Sequence, residues 1–183
     1  MGGLERLARS AAAAGILAGA FGVVRPAAAD TFGGCNTDEG CRPDNLSHAW
    51  CYGNGFTSTA LRNAATYALG NLDAQTNFTQ NRTTSCTTTT DVIFIQFSDS
   101  SGPRGDYSCL AFNSANECEQ ARVRLNSALL TDTANRQKTA CHEVGHSGGL
   151  RHGGDTDCMR NGAITSGFQT YDQHHIDHLN SQK

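Results

Sequence analysis

No two cysteines stand at the C-x2-C spacing of a thiolate metal site, although the chain carries eight of them. An even number without close pairs, all after residue 34, predicts disulfides and an oxidising compartment. Proximity suggests Cys109 with Cys118 and Cys141 with Cys158, and leaves the other pairings open. No apolar run reaches the roughly 20 residues of a membrane span. The longest, residues 11–24, follows Arg6 and Arg9 and precedes the small residues Ala27, Ala28 and Ala29, the pattern of a secretory signal peptide cut before Asp30. A basic surface is also missing. Of 14 basic and 17 acidic residues, three arginines and one glutamate lie in the first 29 positions, which leaves 11 basic and 16 acidic. That balance argues against a nucleic-acid partner, and loss of the leader removes any membrane attachment. Neither an internal repeat nor a linker long enough to divide two domains occurs, so residues 30–183 are expected to form one domain, a monomer. Methionine is scarce as well: past the leader only Met159 remains.

The pattern along residues 30–183 is that of helices and a sheet. Residues 30–56 are rich in Gly, Asn, Asp and Cys and read as an irregular, disulfide-tied leading segment. Leu61, Ala64, Ala65, Ala68, Leu69 and Leu72 recur at helical spacing between Ser58 and Phe78. After a Thr-rich connection, residues 91–99 (DVIFIQFSD) read as a buried strand, 107–113 (YSCLAFN) as a more exposed one, and 121–126 (ARVRLN) as a third. A second helix is expected over 133–147, and a C-terminal one with Tyr171, Ile176 and Leu179 facing inward. On that helix His174, His175 and His178 read as partly exposed. The fold class is α+β.

The chemistry concentrates at CHEVGHSGGLRHGGDTDCM, residues 141–159. His142 and His146 are four apart, which on a helix rotates about 40° and rises about 6 Å, so both imidazoles leave one face. Zn–N bonds near 2.0–2.1 Å require such convergence. Glu143 points about 100° away around the helix, where it can reach a metal-bound water as a general base but cannot easily share the metal. Gly149 can end the helix in a left-handed conformation and turn the chain, so that His152 supplies the third nitrogen. Three histidines and one open position suit a single catalytic Zn²⁺ better than a closed structural site.

HEVGHSGGLRH resembles the H-E-x-x-H-x-x-G-x-x-H signature of the metzincin zinc peptidases, in particular the small secreted matrixin-like ones. The resemblance covers most of residues 57–183. It implies a twisted, mostly parallel sheet with an edge strand, an active-site helix, a Met-turn and a C-terminal helix. It implies zinc ligation by His142, His146 and His152, Glu143 as base and proton shuttle, and Met159 as the Met-turn methionine. The implied activity is hydrolysis of peptide bonds in polypeptide substrates by a secreted metalloendopeptidase. Substrate would lie extended along the strand at 107–113, with residues 160–170 walling the leaving-group side. The tyrosine that many metzincins place two residues after that methionine is here Asn161, so no second donor is assigned. Asp155 and Asp157 are too few for a calcium cage of six to eight oxygens, so a Ca²⁺ requirement stays open; they read as turn-stabilising, or as orienting a ligand histidine. Cys41, in a stretch faintly like the zinc-masking segment of matrixins, reads as a disulfide partner instead. Asn45, Asn77 and Asn81 open N-x-S/T sequons.

Overall fold

The computed structural model describes residue 35 and residues 40–153, 157–164 and 167–182. The leader expected at 1–29 and Asp155 lie outside the described residues. In chain order the elements are β1 (Ser47–Tyr52), α1 (Thr59–Gln75), β2 (Thr79–Arg82), β3 (Val92–Phe97), β4 (Gly105–Phe112), β5 (Cys118–Asn126), α2 (Thr133–Ser147) and α3 (Gln173–Asn180).

The five strands form one sheet in the order β2-β1-β3-β5-β4. Three of its four pairings are parallel, and only β4 runs antiparallel, beside β5 at one edge. The sheet is thus mixed and mostly parallel, with helices packed on it. On β3 and β5 alternate residues turn inward: Val92 and Phe94, then Ala121, Val123 and Leu125, all buried. This is the period of two that lets one face of a strand meet a core. On the other face Arg124 pairs across the edge with Asp106, at 2.7 Å and 2.9 Å from Nε. Arg122 reaches Ser108 Oγ at 2.9 Å.

Helix α1 begins at Ser58, whose hydroxyl accepts from the Leu61 amide and satisfies one of the donors a helix start leaves over. Its buried residues are the six whose spacing predicts the apolar face, Leu61, Ala64, Ala65, Ala68, Leu69 and Leu72. Three of the six are alanine, small enough for α2 to pack closely against α1. Asp132 caps α2, accepting from the Asn135 amide at 2.9 Å, so the helix starts on an aspartate rather than on Thr133 itself. Burying ten consecutive residues, Lys138 to Ser147, makes α2 a central rather than an amphipathic helix.

Two expectations need correction. The leading segment is not irregular throughout, because β1 falls inside it and forms the second strand from the edge. Its Trp50 and Cys51 are buried, and Asp91 at the head of β3 accepts from the Ala49 amide at 2.6 Å. The Thr-rich connection also contains β2, whose polar sequence TQNR is held only by pairing with β1. Disulfides join Cys35 to Cys41, Cys51 to Cys86, Cys109 to Cys118 and Cys141 to Cys158, so the two pairings suggested by proximity are present. Cys41, committed to Cys35, is no masking thiol. No helix among the described residues is long and apolar enough to cross a membrane.

Candidate metal centre

Helix α2 carries His142 and His146 one turn apart, and the way it ends decides where His152 goes. The Leu150 amide returns to the Gly145 carbonyl and the Gly149 amide to the His146 carbonyl, both at 3.0 Å. This six-to-one and five-to-two pair is a Schellman stop, which needs a left-handed residue after the cap. Gly149 supplies it with φ of 93°. An L side chain there would be strained, so glycine is a requirement of the turn. The reversed chain then brings the His152 ring to 4.9 Å from both His142 and His146, centroid to centroid. One potential ligand atom from each of the three lies within 4.8 Å of the others.

The orientation of the helical pair follows from two carbonyls. His142 Nδ1 is 2.8 Å from the Cys158 oxygen, and His146 Nδ1 is 2.7 Å from the Leu150 oxygen. A carbonyl can only accept, so each Nδ1 carries the proton and donates it. Each Nε2 is left with a lone pair, the state a metal ligand needs. Burial keeps both rings neutral. It pushes His142 down to about 2, helped by the neighbouring imidazole of His146, and His146 down to about 4. Three histidines with two tautomers fixed from behind fit a borderline-soft divalent ion such as Zn²⁺.

Beneath them Met159 is fully buried, its thioether packed against Gly145 between the two histidine turns. The turn that carries it is tied down three ways. Cys158 is bonded to Cys141 on α2, the Met159 amide donates to Asp157 Oδ1 at 2.9 Å, and the Cys158 amide donates to the Thr170 carbonyl at 3.0 Å. The disulfide and the His142 contact meet at one residue, Cys158, so the cross-link fixes the carbonyl that aims the ring.

Glu143 is buried and opens onto a cleft of about 310 Å³ that also contains the three histidines. Across the cleft stands the start of β4. Gly105 approaches α2 so closely that a Cβ there would lie 2.9 Å from Glu143 Oε1 and 2.7 Å from Thr139 Cγ2. Beyond Gly105, the edge strand exposes Leu110 and Phe112.

Several residues of this cleft are not singled out by the motif. Tyr107 is buried on β4, tilted toward His146 with ring centroids 6.0 Å apart, and among the described residues its hydroxyl has no hydrogen-bond partner. Burial raises its pKa. Lys138 is buried at the end of the cleft, and its ammonium donates to the Arg160 carbonyl. Burial lowers its pKa to about 8, against the pull of Glu143 and Asp157. One signal was available for it: Lys138 precedes His142 by four residues and must share its helix face.

His175 departs from expectation. It is not partly exposed but buried, with Nδ1 2.5 Å from Asp157 Oδ2 and 3.3 Å from Asp172 Oδ1. His174 and His178 are half-buried. Asp157 stabilises the turn, as expected, and its histidine partner is His175 rather than His142 or His146.

No family model matches the chain, and no curated protein matches it. Among solved structures it is similar to that of myroilysin, with 20% sequence identity and a TM-score of 0.41 over 58% of this chain. The similarity covers 48% of the other chain, so this one spans about half the length of that protein.

Proposed function

We propose that this chain is an exported zinc endopeptidase of the metzincin type. The observation that carries the reading is a pair of buried imidazoles, each holding its Nδ1 proton on a main-chain carbonyl, that converge with His152 beside a buried glutamate in an open cleft. Four disulfides suit a protein that works in an oxidising compartment.

In this reading His142 and His146, through Nε2, and His152 hold the ion. Bound there, zinc lowers the pKa of a coordinated water and polarises the scissile carbonyl. Glu143 accepts the proton from the attacking water and delivers it to the leaving amine. Its surroundings suit the task, because the close approach of Gly105 leaves the carboxylate little freedom to swing away. An extended substrate adds to the sheet along the outer edge of β4, where main-chain pairing fixes its direction and Leu110 and Phe112 offer apolar contact. Met159 and the carbonyls of Cys158 and Leu150 hold the ring pair in place and take no part in proton transfer.

The test compares wild type with Glu143→Ala for zinc content and for cleavage of unfolded protein. Bound zinc in both and cleavage only in wild type is the expected result. Equal cleavage by the two would remove Glu143 as base, and zinc-loaded wild type that cleaves no polypeptide would remove the peptidase reading.

A further inference from the structure

Lys138, His142 and His146 form one stripe along α2 at four-residue intervals and all three line the cleft, so the backbone carrying the lysine lies about 6 Å along the helix from that of the first histidine. It is an expensive group to place there. Lys138 is 4% exposed, and among the described residues it makes no ion pair; its hydrogen bond goes to the neutral carbonyl of Arg160. A desolvated cation without a carboxylate is costly unless something supplies one.

Glu143 and Asp157 pull on it electrostatically, but neither forms an ion pair with it. Arg104, exposed on the lip just before β4, and Arg160, whose guanidinium lies 5.4 Å from the Phe168 ring centre, both add positive charge beside Lys138. Asp106 also borders the cleft but is held by Arg124, whose Nη2 lies 2.7 Å from Oδ2. Asp157 accepts from the Met159 and Asp172 amides and pairs with His175. Three cations thus face Glu143 and an already engaged Asp157 at the end of the cleft between α2 and the chain after Met159.

We propose that this end of the cleft binds a carboxylate of the substrate, carried by the residue that follows the scissile bond. The inference rests on the peptidase reading and specifies its substrate class. One residue of extended chain advances about 3.3 Å, so an acidic side chain on it can span the one-turn interval between His142 and Lys138 on the helix. The carboxylate comes either from an acidic side chain or from the end of the peptide itself. In the first case the enzyme cuts before Glu or Asp; in the second it removes a C-terminal residue.

Matched peptides separate these sources: Glu against Gln after the scissile bond, each with a free and an amidated C-terminus. Wild type is expected to favour the carboxylate by about tenfold or more in kcat/KM, the scale of a hydrogen bond to a charged group. A side-chain site keeps that preference on amidated peptides, and a terminal site loses it. Lys138→Met should bring the ratio near unity, Lys138→Arg should keep most of it, and Lys138→Glu should turn it toward Lys over Gln. If the Lys138 variants do not fold, Arg104→Ala on the exposed lip, together with the fall of the wild-type ratio between low and high salt, carries the test. Equal rates on all four wild-type peptides would overturn the proposal. A binding arm uses zinc-loaded Glu143→Ala and the same peptides in calorimetry. Failure of all cleavage with the binding preference intact sinks the peptidase reading and keeps the carboxylate site; loss of both removes both.

Discussion

One cluster of three histidines and one of a histidine with two carboxylates flank the Met159 turn, and each has potential ligand atoms within 4.8 Å of one another. One is His142, His146 and His152; the other is Asp157, Asp172 and His175. They differ in what their atoms already hold. In the first, the helical imidazoles spend Nδ1 on carbonyls of Cys158 and Leu150, which leaves the converging nitrogens as acceptors with nothing to accept from each other. In the second, donors and acceptors are matched. Asp157 takes the Met159 and Asp172 amides and His175 Nδ1, while Asp172 caps α3 through the His175 amide at 3.0 Å. Proximity of ligand-type residues is shared, and the direction of the protons separates a candidate metal centre from a structural network. The network in turn serves the centre. It pins the Met159 turn to α3, and the His175 ring packs against Gly153, the residue after His152.

The largest expected effect breaks the first cluster. Glu143→Ala should lower kcat/KM by about 10² to 10⁴ with zinc content unchanged, read by steady-state cleavage and metal analysis. His142→Ala should also abolish measurable turnover, but by a different route, with zinc per chain falling well below one. The same substitution at His175 should leave zinc stoichiometry near that of wild type. If His175→Ala loses the metal and His142→Ala retains it, the assignment of the two clusters is reversed.

Breaking the second cluster should appear in stability. Asp157→Ala strands two amides and a buried imidazole, and removing one partner of a buried pair typically costs about 3–5 kcal/mol. Denaturant unfolding of the zinc-free protein should show a loss of that order. A change below about 1 kcal/mol would mean that the turn is held by the Cys141–Cys158 bond alone.

A smaller effect tests the coupling between the edge strand and the base. A Cβ at residue 105 collides with Glu143 and Thr139, so Gly105→Ala must shift the carboxylate or the strand. The expected loss is about tenfold in kcat, within the range that small misplacements of a catalytic group produce, with zinc content unaffected. Unchanged kcat would show that Glu143 is not held by that contact.

What could be read from the sequence divides along the same line as the two clusters. The helical spacing of Leu61 to Leu72 and the spacing of His142, Glu143, His146 and Gly149 are local, set by the pitch of one helix and its stop, and they carry over directly to the structure. The strand β2 is not local: Thr79–Arg82 has no apolar alternation and exists through its pairing with β1. His175 looked exposed for a related reason, since its partner Asp157 is 18 residues away and meets it only after the chain has folded past Met159. A lysine on a helix ordinarily signals a solvated face, and Lys138 is instead buried, with its ammonium on the carbonyl of Arg160.

His48 gives the smallest effect and the cleanest control, because it is a buried histidine in neither cluster. It lies on β1 against the Phe78 ring, with Nε2 3.4 Å from Ser147 Oγ and Nδ1 without a partner. Burial lowers its pKa from 6.5 to about 4, only partly offset by the contact with Ser147. The folded pKa lies below the unfolded one, so as pH falls the unfolded chain binds the proton first. The stabilising contribution is therefore complete above about pH 6.5 and drains away as pH drops toward 4. His48→Leu removes that dependence. The gap in Tm between wild type and His48→Leu should narrow in favour of the variant by a few degrees between pH 7.5 and pH 5, which corresponds to about 1–2 kcal/mol. A gap that stays constant over this range would mean that His48 protonates in the folded protein as readily as in the unfolded one, and that burial alone does not keep a histidine of this chain neutral. The carbonyl partners of His142 and His146 could not take its place, because a hydrogen bond to a carbonyl favours the protonated ring.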